Sequence, residues 1–412
     1  MKTLRLAIIV QNVIQWYSIR PLAKFLTKQP QLHLDIILYD PTSSTSDFHN
    51  IANDTTAAIK ANGFSITTTP KTYKVCLSPY SNMINFDCQY KLGYCYGAAT
   101  TKPLFTLNPS LKIGFHGLFV HDTYGAEIFS VYGRTYLVPY LYLAGTKHVP
   151  TPHKKPVVLF LPTYHEPSTA KTITALKPLK AKYHIIVKNH HGIDNLSDES
   201  NTKSNLTEIA DEVYPSTFPI QKLFAKSDVV LSDSSGATMD ALYAHMPVAI
   251  SAAQINQSIP HLNTLQYELV QNGVIPYAKT QTPAKLDQII TTALSKPQQK
   301  KQAQASDSLF PCKSGGAEAW FRIIKQYLDD TIDTNYCAVH DYLADSFTKL
   351  ELINARLSRD IDNLNLTIQN LESDLETARS ALANSNTQLQ EYENSRAHNL
   401  VNRAQRIIHR SH

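Results

Sequence analysis

Short apolar runs alternate with amphipathic stretches over the first 250 residues. LRLAIIV (4–10) is apolar almost throughout and predicts a buried strand, and IRPLAKFLTK (19–28) has helical spacing. LHLDIILYD (32–40) predicts a second strand closed by an Asp40-Pro41 turn; a helix follows over about 47–62, then Gly63 and strands at FSITTT (64–69) and KVCLSPY (74–80). After a loop rich in Pro, Thr, His and Lys (Pro150–Pro156) the alternation restarts. Strands are predicted at VVLFLP (157–162), HIIVK (184–188), DVVLS (228–232) and VAIS (248–251). Between them lie helices at TAKTITALKPLKAKY (169–183), FPIQKLFAKS (218–227) and GATMDALYAHM (236–246). This alternation predicts α/β architecture: two parallel sheets with crossover helices, joined near residue 150, and a ligand cleft at the carboxyl ends of the strands. The helix GAEAWFRIIKQYL (316–328) is expected to close the second unit.

Beyond residue 340 the period changes. Leu343, Leu350, Leu357, Leu364 and Leu371 recur every seven residues, and Phe347, Asn354, Ile361, Ile368, Leu375, Leu382 and Leu389 form the companion series. These are the d and a positions of a coiled coil over 341–395, with Asn354 at one a position, where a buried amide fixes register and favours a dimer. The expected partner is another copy of the chain. The d series weakens to Ala378, Ser385 and Tyr392. The last segment, 396–412, places Leu400, Val401, Ala404, Ile407 and Ile408 on one helical face, with Arg396, Arg403, Arg406 and Arg410 over much of the rest. A basic amphipathic tail of this kind suits an anionic membrane surface.

Charge sharpens this division. The 412 residues carry a formal net charge of +5; 343–393 carries −5 and 396–412 carries +4, leaving +6 on the body. A mildly basic body suits an anionic ligand, and nothing in the pattern calls for nucleic acid. With 43% hydrophobic residues and only 13 glycines, the chain is neither disordered nor collagenous. No apolar run approaches the roughly 18 residues of a membrane span. Five cysteines without a CxxC pair, behind an apolar start too short for a signal peptide, point to reduced thiols in the cytoplasm.

Four segments offer chemistry. In IGFHG (113–117) an apolar run ends in His116-Gly117, which predicts a histidine at a strand end, facing the cleft as a general base; a lone histidine is as readily a core residue. In LFLPTYHE (159–166), Thr163 follows a strand and a proline, with its hydroxyl placed for a ligand oxygen. In IVKNHHG (186–192) a strand ends in Lys188, then His190 and His191, side chains that neutralise phosphate oxygens. The adjacent histidines lack metal-site spacing, so no metal or cofactor is implied. In DVVLSDSSGATMDALYAHMPV (228–248) a strand runs into Ser232, Asp233, Ser234, Ser235 and Gly236 and then a helix. Helix-start N–H groups and a positive dipole end favour a diphosphate there, unless the serines merely cap the helix. Asp240, one turn in, is placed for a ribose hydroxyl.

The order HG, LPTY, KxH, then SDxSG before a helix with an acidic residue, resembles the CDP-glycerol glycerophosphotransferase family, the teichoic-acid primases and polymerases. The likeness spans about 110–330, and PCKSGGAEAWFRII (311–324) is similar to the family's closing helix. Two departures stand out: His191 replaces a usual proline, and FHGLFVHD lacks the usual lysine. The resemblance implies a GT-B-type fold of two Rossmann-like domains, acceptor-side over 1–150 and donor-binding over 151–340. It implies His116 as the catalytic histidine, His190 on the donor phosphates, Ser232, Ser234, Ser235 and Gly236 as the diphosphate loop, and Asp240 beyond it. The implied reaction is attack by an acceptor hydroxyl on the β-phosphorus of a CDP-linked polyol, releasing CMP, with Thr163 and Lys188 among the donor contacts. The implied acceptor is a lipid-linked or saccharide component of a cell-surface polymer or capsule, met at the inner face of the membrane. Two alternatives remain open: a GT-B glycosyltransferase using a nucleotide sugar, and a non-catalytic body that presents the coiled coil.

Overall fold

A computed structural model describes residues 4–39, 46–68, 71–79, 87–99, 114–130, 133–149, 153–164, 168–233, 235–251 and 265–408. The Asp40-Pro41 turn, Ile113, residues 150–152 of the linking loop and Ser234 lie outside them. The first sheet holds β1 (Leu4–Val10), β2 (Leu32–Leu38), β3 (Tyr73–Pro79), β4 (Cys88–Tyr94), β5 (Gly117–Val120) and β6 (Thr135–Leu137), in the order β2-β1-β3-β4-β5-β6. The second holds β7 (Val157–Leu161), β8 (His184–Lys188), β9 (Glu212–Tyr214), β10 (Val229–Ser232) and β11 (Val248–Ile250), in the order β11-β10-β7-β8-β9. Every pairing between these strands is parallel.

The near-continuous apolar strands follow from that topology. A parallel strand with helices on both faces has no solvent side, and β7 and β10 are buried at every position. In each sheet the chain starts in the interior and then builds outward in both directions, from β1 to β2 and β3, and from β7 to β8 and β10. The crevice at such a reversal is where an open α/β sheet receives a ligand.

Three expectations need correction. FSITTT forms no strand within its described residues; Ile66 makes a single bridge to Ile36. The helix expected over 169–183 ends at Leu176 and tightens into a 3₁₀ turn over Lys177–Ala181, with Pro178 unable to donate to the α-helical ladder. Gly316–Leu328 packs on the first sheet, not the second: Trp320, Ile324, Tyr327 and Leu328 join Leu6, Ile8, Trp16 and Phe119 in one core. Trp320 stacks on Phe119 at 4.6 Å, and its indole N–H donates to the Pro139 carbonyl at 2.9 Å. The chain thus crosses back to its starting domain before leaving it. Residues 1–344 form one compact unit.

The second unit, Asp345–His412, is described by itself. It belongs to the long helix Thr334–Ile408, whose leucine and isoleucine side chains from Leu350 to Leu389 are more than half exposed. The side chains of Leu343, Phe347 and residues 404–412 are outside the description. Among the described residues no helix is long and apolar enough to cross a membrane.

Candidate functional site

A cleft of about 320 Å³ opens at the carboxyl ends of both sheets. The second sheet contributes Leu161, Pro162, Thr163 and Tyr164 after β7, Lys188 through His191 at β8, and Ser235, Gly236, Ala237 and Asp240 after β10. The first sheet contributes Asn12 and Ile14 after β1, and Cys95, Tyr96 and Gly97 after β4. Seven of the residues singled out in the sequence therefore meet: Thr163, Lys188, His190, His191, Ser235, Gly236 and Asp240.

Asp233, fully buried, ties the second-sheet loops together. Its Oδ2 accepts the Thr163 N–H at 2.5 Å and its Oδ1 the Ser235 N–H at 3.0 Å. One carboxylate so fixes the spacing of two ligand-facing loops. Ser235 Oγ accepts the Ala237 N–H at 3.3 Å, a serine turn just ahead of the helix, whose N-cap is Gly236. The N–H groups of Ser235 and Ala237 are thus spent inside the loop. What Ser235 offers the cleft is its hydroxyl proton, beside the positive end of the helix Ala237–Tyr243.

Lys188 donates to the Ser216 carbonyl at 2.6 Å. Burial pushes its ammonium down to about 8, against the opposing pull of Asp194 and Asp240. Burial raises the Asp240 carboxyl to about 7, against the Ala98 N–H and the Lys188 charge. Ala98 belongs to the first-sheet side and donates to Asp240 Oδ1 at 3.2 Å, so this carboxyl bridges the two sheets. His190 Nδ1 accepts the Gly192 N–H at 3.1 Å, which leaves the ring proton of a neutral imidazole on Nε2. Its ring stacks on Tyr164 at 4.9 Å and lies 3.9 Å from His191. A Cβ on Gly192 would stand 2.4 Å from Tyr164 Cγ, so only glycine permits this approach.

Two expected residues are elsewhere. Ser232 is wholly buried, and its hydroxyl donates to the Leu161 carbonyl at 3.1 Å, cross-linking β10 to β7. His116 is 2% exposed and does not line the cleft. It precedes β5 instead of ending a strand. Its N–H donates to the Lys91 carbonyl at 2.8 Å, its Nδ1 accepts the Lys91 N–H at 3.0 Å, and its carbonyl accepts the Tyr327 hydroxyl at 3.0 Å. Lys91 lies four residues before Cys95, so His116 sits roughly 13 Å back along the strand direction from the cleft edge. The base assigned to it has no place in this site.

The histidine that does follow the carboxyl end of β5 is His121, a position readable from the apolar run LFV that it closes. It too is buried, with Nδ1 3.1 Å from the Val138 carbonyl and Nε2 3.0 Å from the Cys95 carbonyl. Burial pushes it down to about 4, against the opposing pull of the two carbonyls, and it buttresses the cleft wall from behind. Asn12, Tyr96, Tyr140, Tyr142 and Ser216 also line the cleft without a signal in the sequence beyond their place after strands. Among the described residues no three His, Cys, Asp or Glu side chains are arranged as metal ligands.

No protein-family model and no curated protein matches the sequence. Solved structures do. The S. aureus MnaA–UDP structure is 10% identical with a TM-score of 0.52, covering 81% of this chain and 98% of its own. The Neisseria meningitidis UDP-GlcNAc 2-epimerase bound to UDP-GlcNAc is 11% identical with a TM-score of 0.52, over 79% of this chain and all of its own. A variant of the wall teichoic acid polymerase TagF soaked with CDPG is 14% identical with a TM-score of 0.50, over 80% of this chain and 90% of its own. The family that the motifs resemble is thus represented among structures of the same fold. Identities this low speak for architecture alone: the chain is an α/β protein of two Rossmann-like domains, GT-B in type, with a long carboxy-terminal helix added.

Proposed function

We propose that this chain is a transferase that takes a polyol phosphate, of the glycerol phosphate type, from a CDP-activated donor and places it on a hydroxyl of a cell-surface polymer precursor. The observation that carries this reading is the convergence of Thr163, Lys188, His190, Ser235 and Asp240 on one cleft from the ends of β7, β8 and β10. Hydroxyl, imidazole and ammonium donors at one point suit a diphosphate, and phosphoryl transfer depends chiefly on positioning and charge stabilisation. Solved structures of this fold determined with UDP, UDP-GlcNAc or CDPG support a nucleotide-linked donor for this cleft.

In this mechanism the acceptor oxygen forms a bond to the β-phosphorus as the bond to the CMP oxygen breaks. Lys188, the His190 Nε2–H and the Ser235 and Thr163 hydroxyls offset the growing charge on the leaving phosphate. With His116 outside the cleft, the hydroxyl proton passes to Asp240. It is the cleft carboxyl that burial brings to about 7, and its Oδ1 is already held by Ala98. His190 fits that role less well, because its Nδ1 is occupied by Gly192.

A second reading, a nucleotide-sugar glycosyltransferase, is favoured by the same fold in structures determined with UDP and UDP-GlcNAc. The deciding experiment incubates the protein with CDP-glycerol, CDP-ribitol and a panel of nucleotide sugars, with candidate hydroxyl acceptors, and identifies the nucleotide released. CMP from a CDP-polyol is the expected product. UDP or GDP from a sugar donor carries the second reading, and no release or binding of any nucleotide sinks both.

A further inference from the structure

Between Leu350 and Tyr392 the face of the helix Thr334–Ile408 that repeats every seven residues is exposed. Leu350, Leu357, Ile361, Leu364, Ile368 and Leu371 are each 52–62% exposed. Covering a side chain of this kind contributes about 1.5–3 kcal/mol when burial is complete. Helices draw most of their stability from such a packed face.

We propose that a second copy of this chain covers it, as a parallel, in-register, two-stranded coiled coil from Leu350 to Tyr392. Three features select this occupant. Isoleucine at the a positions 361 and 368, with leucine at the d positions 357, 364 and 371, is the choice that favours two strands. Asn354, exposed at an a position, meets its own copy only when the helices run the same way in register, and the two amides then satisfy one another. The flanking charges agree. A parallel pair sets each g residue against the e residue five positions on in the other chain, which brings Asp374 to Arg379 of the second copy. In the single helix Arg379 reaches only Glu376, at 3.9 Å. No like charges meet in that arrangement. An antiparallel pair sets g against g, where the charged residues are Asp360 and Asp374, and e against e, where three glutamates (Glu351, Glu372 and Glu393) stand against the single Arg379. Beyond Tyr392 the a positions are Arg396 and Arg403, and like charges across the seam end the pairing there.

Leu352 and Leu366, 66% and 57% exposed, lie outside a two-stranded seam and would be taken up by a larger bundle. The test therefore begins with solution mass by light scattering on the full chain. Twice the 46.1 kDa of one chain is expected, and a mass of one, three or more chains overturns the proposal. Ser385 occupies a d position, so Ser385→Cys under mild oxidation should give a disulfide-linked dimer in high yield, above any background in the parent protein. A dimeric mass without that cross-link means antiparallel or shifted helices and also overturns it. Asn354→Ile should raise the melting temperature of the helix while splitting the single dimeric species into several masses. One unchanged species would remove Asn354 as the register device. None of these readouts depends on nucleotide transfer, so they stand or fall apart from the proposed function.

Discussion

Lys188 and Asp240 are the residues on which the chemistry turns, and their environments shift them in opposite directions. Asp240, at about 7, must lose its proton to act as a base, so activity should rise through that pH. Lys188, at about 8, must keep its proton to hold phosphate, so activity should fall above it. The expected kcat/KM profile is a narrow bell whose limbs belong to the interacting pair. Asp240→Asn should lower kcat by roughly 10²–10⁴ and erase the acid limb, while Lys188→Gln should weaken donor binding about tenfold or more. His116→Ala should behave differently. It leaves the Lys91 N–H without its acceptor, at about 1–3 kcal/mol, and lowers the melting temperature while kcat/KM stays near the parent value. A second buried acid tests the same physics on stability. Burial raises Asp122 to about 7, so the folded state keeps its proton where the unfolded state has lost it, and stability drains away as pH rises from about 4 to 7. Asp122→Asn should therefore gain melting temperature over the parent at pH 8, and much less at pH 4. Four of the cleft donors were legible because a small or cationic residue after an apolar run marks a strand tip. His116 was misplaced because IGFHG reads equally as the end of one strand or the approach to the next, and hydrophobic pattern does not give polarity.

Among the elements, two close contacts hold the site in shape. The turn Gly192 makes under Tyr164 lets that ring stack on His190, and Gly192→Ala drives a Cβ into it. The expected result is weaker nucleotide binding with little change in overall melting, read by titration of the nucleotide against the variant. The returning helix Gly316–Leu328 covers the first sheet with Trp320, and Trp320→Ala should cost about 3–5 kcal/mol in chemical denaturation. The helix itself was plain in the sequence, from its apolar spacing and the glycines before it. Its destination was not, because the same apolar stripe would fit either sheet. Strands β4, β5 and β6 were passed over for a related reason: CQYKLGY, GLFV and TYL carry too few residues or too many polar ones to stand out alone, and parallel neighbours supply their hydrogen bonds.

At the scale of the molecule, the compact unit 1–344 contains every cleft residue named above. A chain ended after Ala344 should retain the thermal stabilisation by nucleotide seen in the full protein and should run as a single chain in solution. Loss of nucleotide binding on truncation would tie the helix Thr334–Ile408 to the site.

Periodicity by itself determined that the chain is an α/β body followed by one long heptad helix, since buried parallel strands and a coiled-coil seam impose different repeats on the choice of side chain. It also marked the strand tips from which the second domain reaches its ligand. Tertiary structure alone decided which tips meet, that Ser232 and His116 serve the core, that Asp233 spaces the loops, and that Asp240 touches the opposite sheet. These are matters of through-space distance and dielectric. A sequence fixes which groups are present and how they repeat, while burial and neighbours hundreds of positions away set where each one sits and how tightly it holds its proton.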